Sequence, residues 1–236
     1  MLELESVDAY YGTLKVLDSI TMKVDKGESV TILGPNGMGK TTLLRTIVGL
    51  MPARSGRIKY KGKDITQWPA HRRVREGISL VPEGRRVFPY LSVEKNLLVA
   101  AGTTSGGRRE EDSLETVYSI FPDLKAKRKD LAGNLSGGQQ QMLALGRSLI
   151  QSPSLLMLDE PSLGLAPIVV KSVYQAIRKI REGREELTLV VVEQNVRVAL
   201  ENASRGYVMQ HGRVVAAGTS EELMNDSKLK ERYLGV

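Results

Sequence analysis

Residues 29–48 read SVTILGPNGMGKTTLLRTIV, and this stretch decides the predicted fold. The apolar run SVTIL predicts a buried strand, and the apolar spacing that follows predicts a helix over residues 40–50. Between them, Gly34 to Thr41 (GPNGMGKT) fits the pattern G-x-x-x-x-G-K-[ST]. Glycines let such a loop bring backbone N–H groups close to phosphates, and the helix start adds partial positive charge. We therefore predict a phosphate-binding loop, with Lys40 on the β- and γ-phosphates and the Thr41 hydroxyl on Mg²⁺.

A second apolar run ends in two acidic residues. Residues 154–160 read SLLMLDE. A buried parallel strand that ends in carboxylates places them at the carboxyl edge of the sheet, where ligands of open α/β sheets bind. Asp159 is then placed to hold Mg²⁺ or its water, and Glu160 to polarise the attacking water. An acid pair after a strand is on its own more often a solvated turn, so this interpretation depends on the phosphate loop.

A third motif, LSGGQ, occupies residues 135–139 and precedes an apolar-periodic helix. A serine and two glycines at a helix start leave backbone N–H donors unblocked, which predicts a second anion site apart from the phosphate loop. A serine N-cap with a glycine turn explains the local sequence equally well. It does not explain the order of the three motifs along the chain.

The remaining chain alternates between predicted strands and helices. Short apolar runs suit strands buried on both faces of a parallel sheet; they cover residues 78–81, 155–158 and 187–192. Helical patterns cover residues 93–101, 110–120, 138–151 and 167–180. This alternation predicts an α/β fold with helices on both faces of the sheet.

Two departures from the alternation divide the chain. Apolar and polar residues alternate over the first 33 positions, which predicts an N-terminal antiparallel β element. From residue 92 to residue 151 helical patterns follow one another without a strand, which predicts an inserted helical subdomain. The expected organisation is a single domain, 1–236, with a nucleotide-binding core at 1–91 and 152–236, a helical subdomain at 92–151 and a loop at 102–109.

Composition excludes several classes of protein. The 236 residues are 41% hydrophobic and 26% charged, which is ordinary globular usage and excludes a disordered or fibrous chain. The absence of cysteine excludes disulfides and thiolate metal sites, and two histidines, His71 and His211, make a histidine metal centre a poor fit. No apolar run approaches the roughly 20 residues of a transmembrane helix. Since the acidic start is unlike a secretory signal, we expect a soluble protein that meets a membrane only through its surface or a partner.

The net charge of +7 is concentrated in one segment. Residues 51–100 carry 11 basic and 4 acidic side chains. The basic ones include Arg54, Arg57, Lys59, Lys61, Lys63, Arg72, Arg73, Arg75, Arg85 and Arg86. Few aromatic side chains accompany them, so a nucleic-acid groove is a poor fit. Our hypothesis is that this basic segment faces acidic protein segments or anionic lipid, and a solvated basic face is the alternative that stays open.

The order of the motifs (an aromatic residue, the phosphate loop, LSGGQ, LLMLDE) resembles the ATP-binding subunits of ABC transporters over essentially the whole chain. The resemblance implies a P-loop NTPase core of the ABC ATPase type, in which two subunits sandwich two ATP molecules. The ATP-binding residues it implies, with Tyr11 stacking on adenine, are Tyr11, Val16, Gly34, Pro35, Asn36, Gly37, Met38, Gly39, Lys40, Thr41 and Thr42. The signature residues it implies, which contact the partner's nucleotide, are Leu135, Ser136, Gly137, Gly138 and Gln139. The segment that crosses to the partner site is Ser162, Leu163, Gly164 and Leu165.

Two positions depart from the common pattern of that family. Glu83 replaces the usual glutamine after the third strand, and Gln194 replaces the usual histidine after the last core strand. Glu83 still offers an oxygen, so the implied metal residues are Thr41, Glu83 and Asp159. Gln194 can donate a hydrogen bond to the γ-phosphate but cannot carry a proton near neutral pH. The implied catalytic residues are therefore Glu160, as the general base, and Gln194.

The segments YYG, VPEGRRVFP, DEPSLGLAP and VEQN narrow the resemblance to the LivF type of branched-chain amino acid importers. It implies an ATPase that uses ATP and Mg²⁺ on the cytoplasmic face of the cell membrane. The implied partners are transmembrane permease subunits, a second ABC ATPase subunit (the same chain or a related one) and, indirectly, a solute-binding protein. Nucleic acid is not among them. Related importers of urea or short amides stay open, because none of these residues contacts the solute.

Two other functional classes fit less well. A DNA-repair or chromosome-organising ATPase inserts a long coiled coil between these motifs, whereas only 52 positions separate Glu83 from Leu135, without sustained heptads. A nucleotide-gated module that binds ATP without turnover would have no use for Glu160. An ATPase assay distinguishes that module from an enzyme.

Overall fold

The computed structural model describes residues 1–101, 110–227 and 231, and the loop predicted at 102–109 lies outside them. Four strands form an antiparallel sheet: β1 (Leu2–Tyr11), β2 (Leu14–Val24), β4 (Ser55–Tyr60) and β5 (Lys63–Asp64). Their order is β2-β1-β4-β5. A second sheet contains β3 (Ser29–Leu33), β6 (Ile78–Val81), β7 (Leu155–Asp159), β8 (Thr188–Glu193), β9 (Arg205–Gln210) and β10 (Arg213–Thr219). Its order is β10-β9-β3-β8-β7-β6, and the strands run parallel except where β10 pairs with β9.

The helices are α1 (Lys40–Val48), α2 (Ala70–Arg75), α3 (Val93–Ala101), α4 (Glu110–Ile120), α5 (Pro122–Ala126), α6 (Gly137–Ile150), α7 (Pro167–Glu182), α8 (Val196–Glu201) and α9 (Ser220–Asn225). Helix α1 ends two residues before the predicted end, because Gly49 adopts a left-handed conformation with φ 84° and caps it. In the described part of the chain, no helix combines the length and the apolar character needed to span a bilayer. The predicted α/β fold, with its N-terminal antiparallel sheet, is confirmed.

The parallel sheet is buried on both faces. Along β7, Leu155 and Met157 pack with the antiparallel sheet and α1, while Leu156 and Leu158 pack with α6 and α7. Successive side chains of a strand point to opposite faces, so a strand covered on both sides must be apolar at every position. This is why β7 and β8 read as unbroken apolar runs in the sequence.

Three neighbouring strands place their carboxyl ends side by side. Strand β3 pairs with β8 so that Leu33 lies opposite Glu193, and β8 pairs with β7 so that Val192 lies opposite Asp159. The loops that follow these strands begin at Gly34, Gln194 and Glu160. The topology thus gathers segments that are more than a hundred residues apart into one crevice.

Arg73 corrects the hypothesis about the basic segment. Its side chain is 2% exposed, and its guanidinium donates to the carbonyls of Thr46 (2.8 Å), Ile47 (2.9 Å), Thr66 (2.8 Å) and Trp68 (2.9 Å). Thr46 and Ile47 lie in the last turn of α1, whose carbonyls have no partner within the helix and attract a cation. The expectation that Arg73 faces a partner or lipid is wrong, because its charge stabilises the fold.

Candidate functional site

A cleft of about 370 Å³ opens at the carboxyl edge of the parallel sheet. Its lining residues come from the phosphate loop, the start of α1 and the loops after β6 and β7. They are Val16, Asn36, Gly37, Gly39, Lys40, Thr41, Thr42, Glu83, Glu160 and Leu163. The cleft therefore brings residues of the predicted phosphate loop together with Glu83 and Glu160, which the sequence analysis assigns to metal binding and catalysis.

The phosphate loop leaves backbone donors free at the start of α1. Gly37 and Gly39 have φ values of 78° and 93°, which side-chain-bearing residues rarely adopt, so glycine is required at both positions. Gly39 is the N-cap of α1 and offers no side-chain cap. The first N–H groups of the helix, and its partial positive charge, are directed at the cleft, which suits a phosphate group.

Lys40 is a buried cation at the floor of the cleft. Its side chain is 4% exposed, and its Nζ donates to the carbonyls of Gly34 (2.7 Å) and Pro35 (2.9 Å). The carboxylate of Glu160 lies 3.6 Å from Nζ. Burial lowers the pKa of Lys40, and the negative charges of Glu160 and Asp159 partly offset that effect. An anionic ligand would give this ammonium the compensation that the protein provides only in part.

The corner between α1 and β7 contains hard oxygen donors. The Thr41 hydroxyl donates to Asp159 Oδ1 at 3.1 Å. The pKa of Asp159 is raised to about 6, chiefly by burial and also by the neighbouring carboxylates of Glu160 and Glu83, while the hydrogen bond from Thr41 lowers it. This excess of negative charge fits a divalent cation. Across the described ranges, no cluster of three or more His, Cys, Asp or Glu side chains is placed to hold a metal ion, so such a cation needs further oxygen donors from a ligand.

We expect Asp159→Asn to raise the stability of the metal-free protein at pH 8. Folding raises the pKa of this carboxyl from 3.8 to about 6, so its favourable contribution is present below 3.8 and is lost as the pH rises through 6. The amide cannot ionise and avoids that loss, which corresponds to about 3 kcal/mol and roughly 6 to 12 °C in Tm. Thermal unfolding in EDTA checks this, and the gain should shrink as the pH falls from 8 to 5.

The matched control is Glu185→Gln, which removes an exposed carboxyl in the loop before β8. It should leave Tm unchanged at both pH values. A D159N protein no more stable than the wild type at pH 8 would contradict a buried, ionised Asp159.

Glu160 and Gln194 meet across the cleft. The Gln194 Nε2 donates to Glu160 Oε2 at 2.7 Å and also contacts Asn36 Oδ1. Glu160 has a φ of 48°, a strained conformation for a residue with a side chain, and its N–H is held by the Val192 carbonyl at 3.0 Å. The strained turn directs the carboxylate into the cleft beside Lys40.

Tyr11 lies at the end of β1 and does not line the cleft. Its side chain is 46% exposed, and its hydroxyl accepts a hydrogen bond from Arg45 at 3.3 Å. Val16, in β2, does line the cleft. An exposed ring beside the phosphate loop is available for stacking, and a role for Tyr11 in the core is excluded.

The LSGGQ segment lies outside the cleft, at the start of α6. Ser136 is the N-cap: its hydroxyl accepts from the Gln139 N–H at 3.3 Å, and Gln139 Oε1 accepts from the Ser136 N–H at 3.0 Å. The expectation of fully unblocked donors is thus wrong for Gln139, whose N–H is capped. Within the part of the chain described, the N–H groups of Gly137 and Gly138 have no acceptor. These two donors are what the segment can offer to an anion.

Sequence reasoning missed Glu193 and the contact between Asn36 and Gln194. Glu193 ends β8 as a buried carboxylate, 2% exposed, one position beyond the predicted end of the strand. An acidic residue at the end of an apolar run is the pattern that indicates Asp159, and the same pattern occurs at Glu193. Asn36 is within the phosphate-loop motif, but its contact with Gln194 joins residues 158 positions apart, and no sequence pattern reports it.

The chain is similar over its full length to several described proteins. The family described as ABC transporter matches residues 17–163. The high-affinity branched-chain amino acid transport ATP-binding protein BraG of Pseudomonas aeruginosa is 43% identical, over 100% of both chains. The probable branched-chain amino acid transport ATP-binding protein LivF of Archaeoglobus fulgidus is 38% identical, over 100% of this chain and 99% of that protein. The lipopolysaccharide export system ATP-binding protein LptB of Escherichia coli K12 is 33% identical, over 96% and 93%.

Solved structures share the architecture. A nucleotide-free ATP-binding cassette from an ABC transporter matches with a TM-score of 0.85 at 28% identity, covering 98% of this chain and 97% of that one. An ATP-binding cassette of an ABC transporter in its ADP conformation matches with a TM-score of 0.85 at 27% identity and the same coverage. The likeness therefore extends to both sheets and the helices between β6 and β7.

Proposed function

The chain belongs to the ABC transporter family of ATP-binding proteins, and from this we propose that it hydrolyses ATP to power a membrane importer for branched-chain amino acids. The observation that carries the ATPase role is the meeting of a phosphate loop, a hard-oxygen corner and a paired carboxylate in one cleft. The similarity to BraG and LivF supports the solute class.

ATP is proposed to bind to the buried ammonium of Lys40 at the floor of the cleft. The β- and γ-phosphates would take Lys40 Nζ as a partner, together with the free N–H groups at the start of α1. Val16 and the exposed ring of Tyr11 lie on the side where the adenine would rest. Thr41, Asp159 and Glu83 would hold Mg²⁺, which neutralises the charge on the phosphates when bound.

Hydrolysis is proposed to depend on Glu160. Its carboxylate is directed into the cleft and would polarise the water that attacks the γ-phosphate. Gln194 already holds one carboxylate oxygen of Glu160 at 2.7 Å. Because an amide donates a hydrogen bond without a transferable proton near neutral pH, Gln194 would orient Glu160 and the γ-phosphate rather than act as a base.

A complete site is proposed to need a second ATPase subunit. The free N–H groups of Gly137 and Gly138 lie outside the cleft of their own chain and suit a phosphate held by a partner. The exposed side chain of Leu163 (48%) lies at the rim of the cleft, where the crossing segment would meet that partner. The wider assembly would contain permease subunits and, indirectly, a solute-binding protein, with the chain on the cytoplasmic face of the membrane.

Only part of the basic segment, residues 51–100, is included in this proposal. Arg72 and Arg75 are exposed, and Arg72 stacks over the Trp68 ring at 3.8 Å. Arg73 is excluded because its charge is used within the fold. Arg72 and Arg75 are the members of α2 proposed to meet acidic permease segments or anionic lipid.

We expect Gln194→His to be tolerated, with kcat within about threefold of the wild type and unchanged ATP affinity. Histidine can donate the same hydrogen bond to the Glu160 carboxylate that the amide donates now. Steady-state ATPase kinetics with a titration of ATP measure both quantities. Gln194→Leu, which fills similar volume without a donor, is the control and should lose roughly tenfold in kcat. Loss of ATP binding in Q194H would reveal a role of Gln194 that this scheme lacks.

The proposed function is tested by reconstitution. The chain is placed in proteoliposomes with permease subunits that copurify with it and a solute-binding protein, and uptake of leucine, urea and acetamide is compared with and without Mg²⁺-ATP. ATP-dependent uptake of leucine alone supports the proposal. Uptake of urea or acetamide instead would reassign the solute, and a wild-type chain without Mg²⁺-dependent ATP hydrolysis would remove the ATPase role.

A further inference from the structure

Glu193 is a buried carboxylate to which none of the proposed steps assigns a role. It is the last residue of β8 and is 2% exposed. Its Oε1 accepts from the Tyr174 hydroxyl at 2.9 Å and from the Ser162 N–H at 3.2 Å, and its Oε2 accepts from the Gln194 N–H at 3.3 Å. Three donors compensate for removing this charge from water.

Two of the three donors belong to the loops that carry the catalytic pair. Ser162 lies two residues after Glu160, and the third donor is the backbone of Gln194 itself. The side chains of Glu160 and Gln194 in turn meet at 2.7 Å. These contacts form a ring. On one side Glu193 holds the backbone of Ser162 and of Gln194, and on the other side the Glu160 and Gln194 side chains meet.

The turn that this ring secures is a strained one. Glu160 has a φ of 48°, a conformation that is unfavourable for a residue with a side chain and persists only when its surroundings impose it. Strand β8 supplies two restraints: the Val192 carbonyl accepts from the Glu160 N–H at 3.0 Å, and Glu193 accepts from the Ser162 N–H. The strained residue is thus held on both of its sides from the same strand.

The chemistry of the three donors selects a carboxylate. An ionised carboxylate only accepts hydrogen bonds, whereas an amide of the same shape also donates. Glutamine at this position would direct an N–H₂ group at one of the three donors. An apolar side chain would leave the Ser162 N–H and the Tyr174 hydroxyl buried without an acceptor, and each buried unpaired donor destabilises the fold.

We propose that Glu193 is a positioning residue for ATP hydrolysis, which fixes the backbone of Ser162 and Gln194 so that the Glu160 carboxylate stays aligned with the attacking water. The inference rests on the proposed ATPase function. By holding Ser162, Glu193 also orients the segment Ser162–Leu165 towards a partner subunit. Among the described residues, Lys40 and the phosphate loop make no hydrogen bond with Glu193, whose negative charge acts on Lys40 only at a distance. We therefore expect ATP affinity to change much less than kcat when Glu193 is replaced.

The experiment compares Glu193→Gln with Tyr174→Phe. Glu193→Gln should lower kcat by roughly 10- to 100-fold, as expected for a misplaced catalytic group, with ATP affinity within about twofold of the wild type. Tyr174→Phe removes one donor to the same carboxylate but keeps both backbone contacts. It should lower Tm and leave kcat within about threefold. In a Glu160→Gln background, Glu193→Gln should cause no further loss, because Glu193 acts through Glu160.

A second measurement needs no substitution. In the nucleotide-free wild type, the Ser162 amide should exchange with solvent more slowly than that of Gly164, as measured by residue-resolved hydrogen exchange. An unprotected Ser162 amide overturns the proposal. So does a Glu193→Gln protein with wild-type kcat, or an equal loss of kcat in Tyr174→Phe, which would indicate a purely structural role. If the wild type lacks Mg²⁺-dependent ATPase activity, it is the proposed function that fails.

Discussion

Glu160→Gln is expected to lower kcat for ATP hydrolysis by roughly 10² to 10⁴-fold, the usual contribution of a general base, while ATP still binds. Glutamine keeps the shape of the side chain and an oxygen that can accept from Gln194, now 2.7 Å away. What it loses is the negative charge that polarises water. The phosphate loop and Lys40 are unaltered, so the affinity for ATP should stay close to that of the wild type.

A chain that binds ATP without hydrolysing it should accumulate in the closed state. We expect Glu160→Gln to form a stable dimer in Mg²⁺-ATP, visible as a shift in size-exclusion chromatography with light scattering, and to be monomeric with ADP. Glu185→Gln, which removes an exposed carboxyl, is the control and should hydrolyse ATP at the wild-type rate. Turnover near the wild-type rate in Glu160→Gln would show that another group acts as the base.

The fold was predictable where a short pattern has one physical solution. An apolar run followed by glycines, a lysine and another apolar stretch leaves a strand, a phosphate loop and a helix as the consistent interpretation, and Ser29–Leu33 and Lys40–Val48 have those forms. The acid pair at Asp159 and Glu160 follows the same logic, because a buried strand can carry carboxylates only at its end. Local constraints of this kind need no knowledge of the rest of the chain.

Contacts between distant segments were not predictable in this way. Arg73 looked like one basic residue among many, yet it binds carbonyls of α1 that are 26 and 27 positions away in sequence. A charge count cannot distinguish a guanidinium that caps a helix from one that faces solvent. The predicted strand at 187–192 ends one residue short of Glu193. Because side chains at neighbouring strand positions point to opposite faces, an error of one position at the end of a strand is enough to miss a buried carboxylate.

The LSGGQ segment, residues 135–139, shows another limit of prediction from sequence. Ser136 and Gln139 form a capping box that any helix start could use, and the structure of one chain explains them completely on that basis. The order of the motifs suggested a second role, in which the free N–H groups of Gly137 and Gly138 serve a partner. A property of the assembled dimer cannot be derived from the stability of a single subunit.

Lys40→Met is expected to weaken ATP binding by roughly 10² to 10³-fold, because it removes the desolvated cation that we propose binds the phosphates. The nucleotide-free fold should not suffer. Burial lowers the pKa of Lys40, which means that the folded protein disfavours its charged form at neutral pH. Methionine removes that buried charge at similar length, so Tm without nucleotide should stay level or rise.

A loss of ATP affinity without a loss of Tm is a combination that is specific to a phosphate site. Affinity is measured by titration with a fluorescent ATP analogue and Tm by thermal unfolding without nucleotide, with Lys171→Met, on the exposed face of α7, as the control. In Lys40→Met the carbonyls of Gly34 and Pro35 lose their donor. A fall in Tm together with the loss of affinity would show that these hydrogen bonds outweigh the cost of the buried charge, and that the lysine serves the fold. If affinity is unchanged, the phosphates do not lie on this loop. A buried lysine that lowers the stability of the nucleotide-free protein is explained by the anion that it binds.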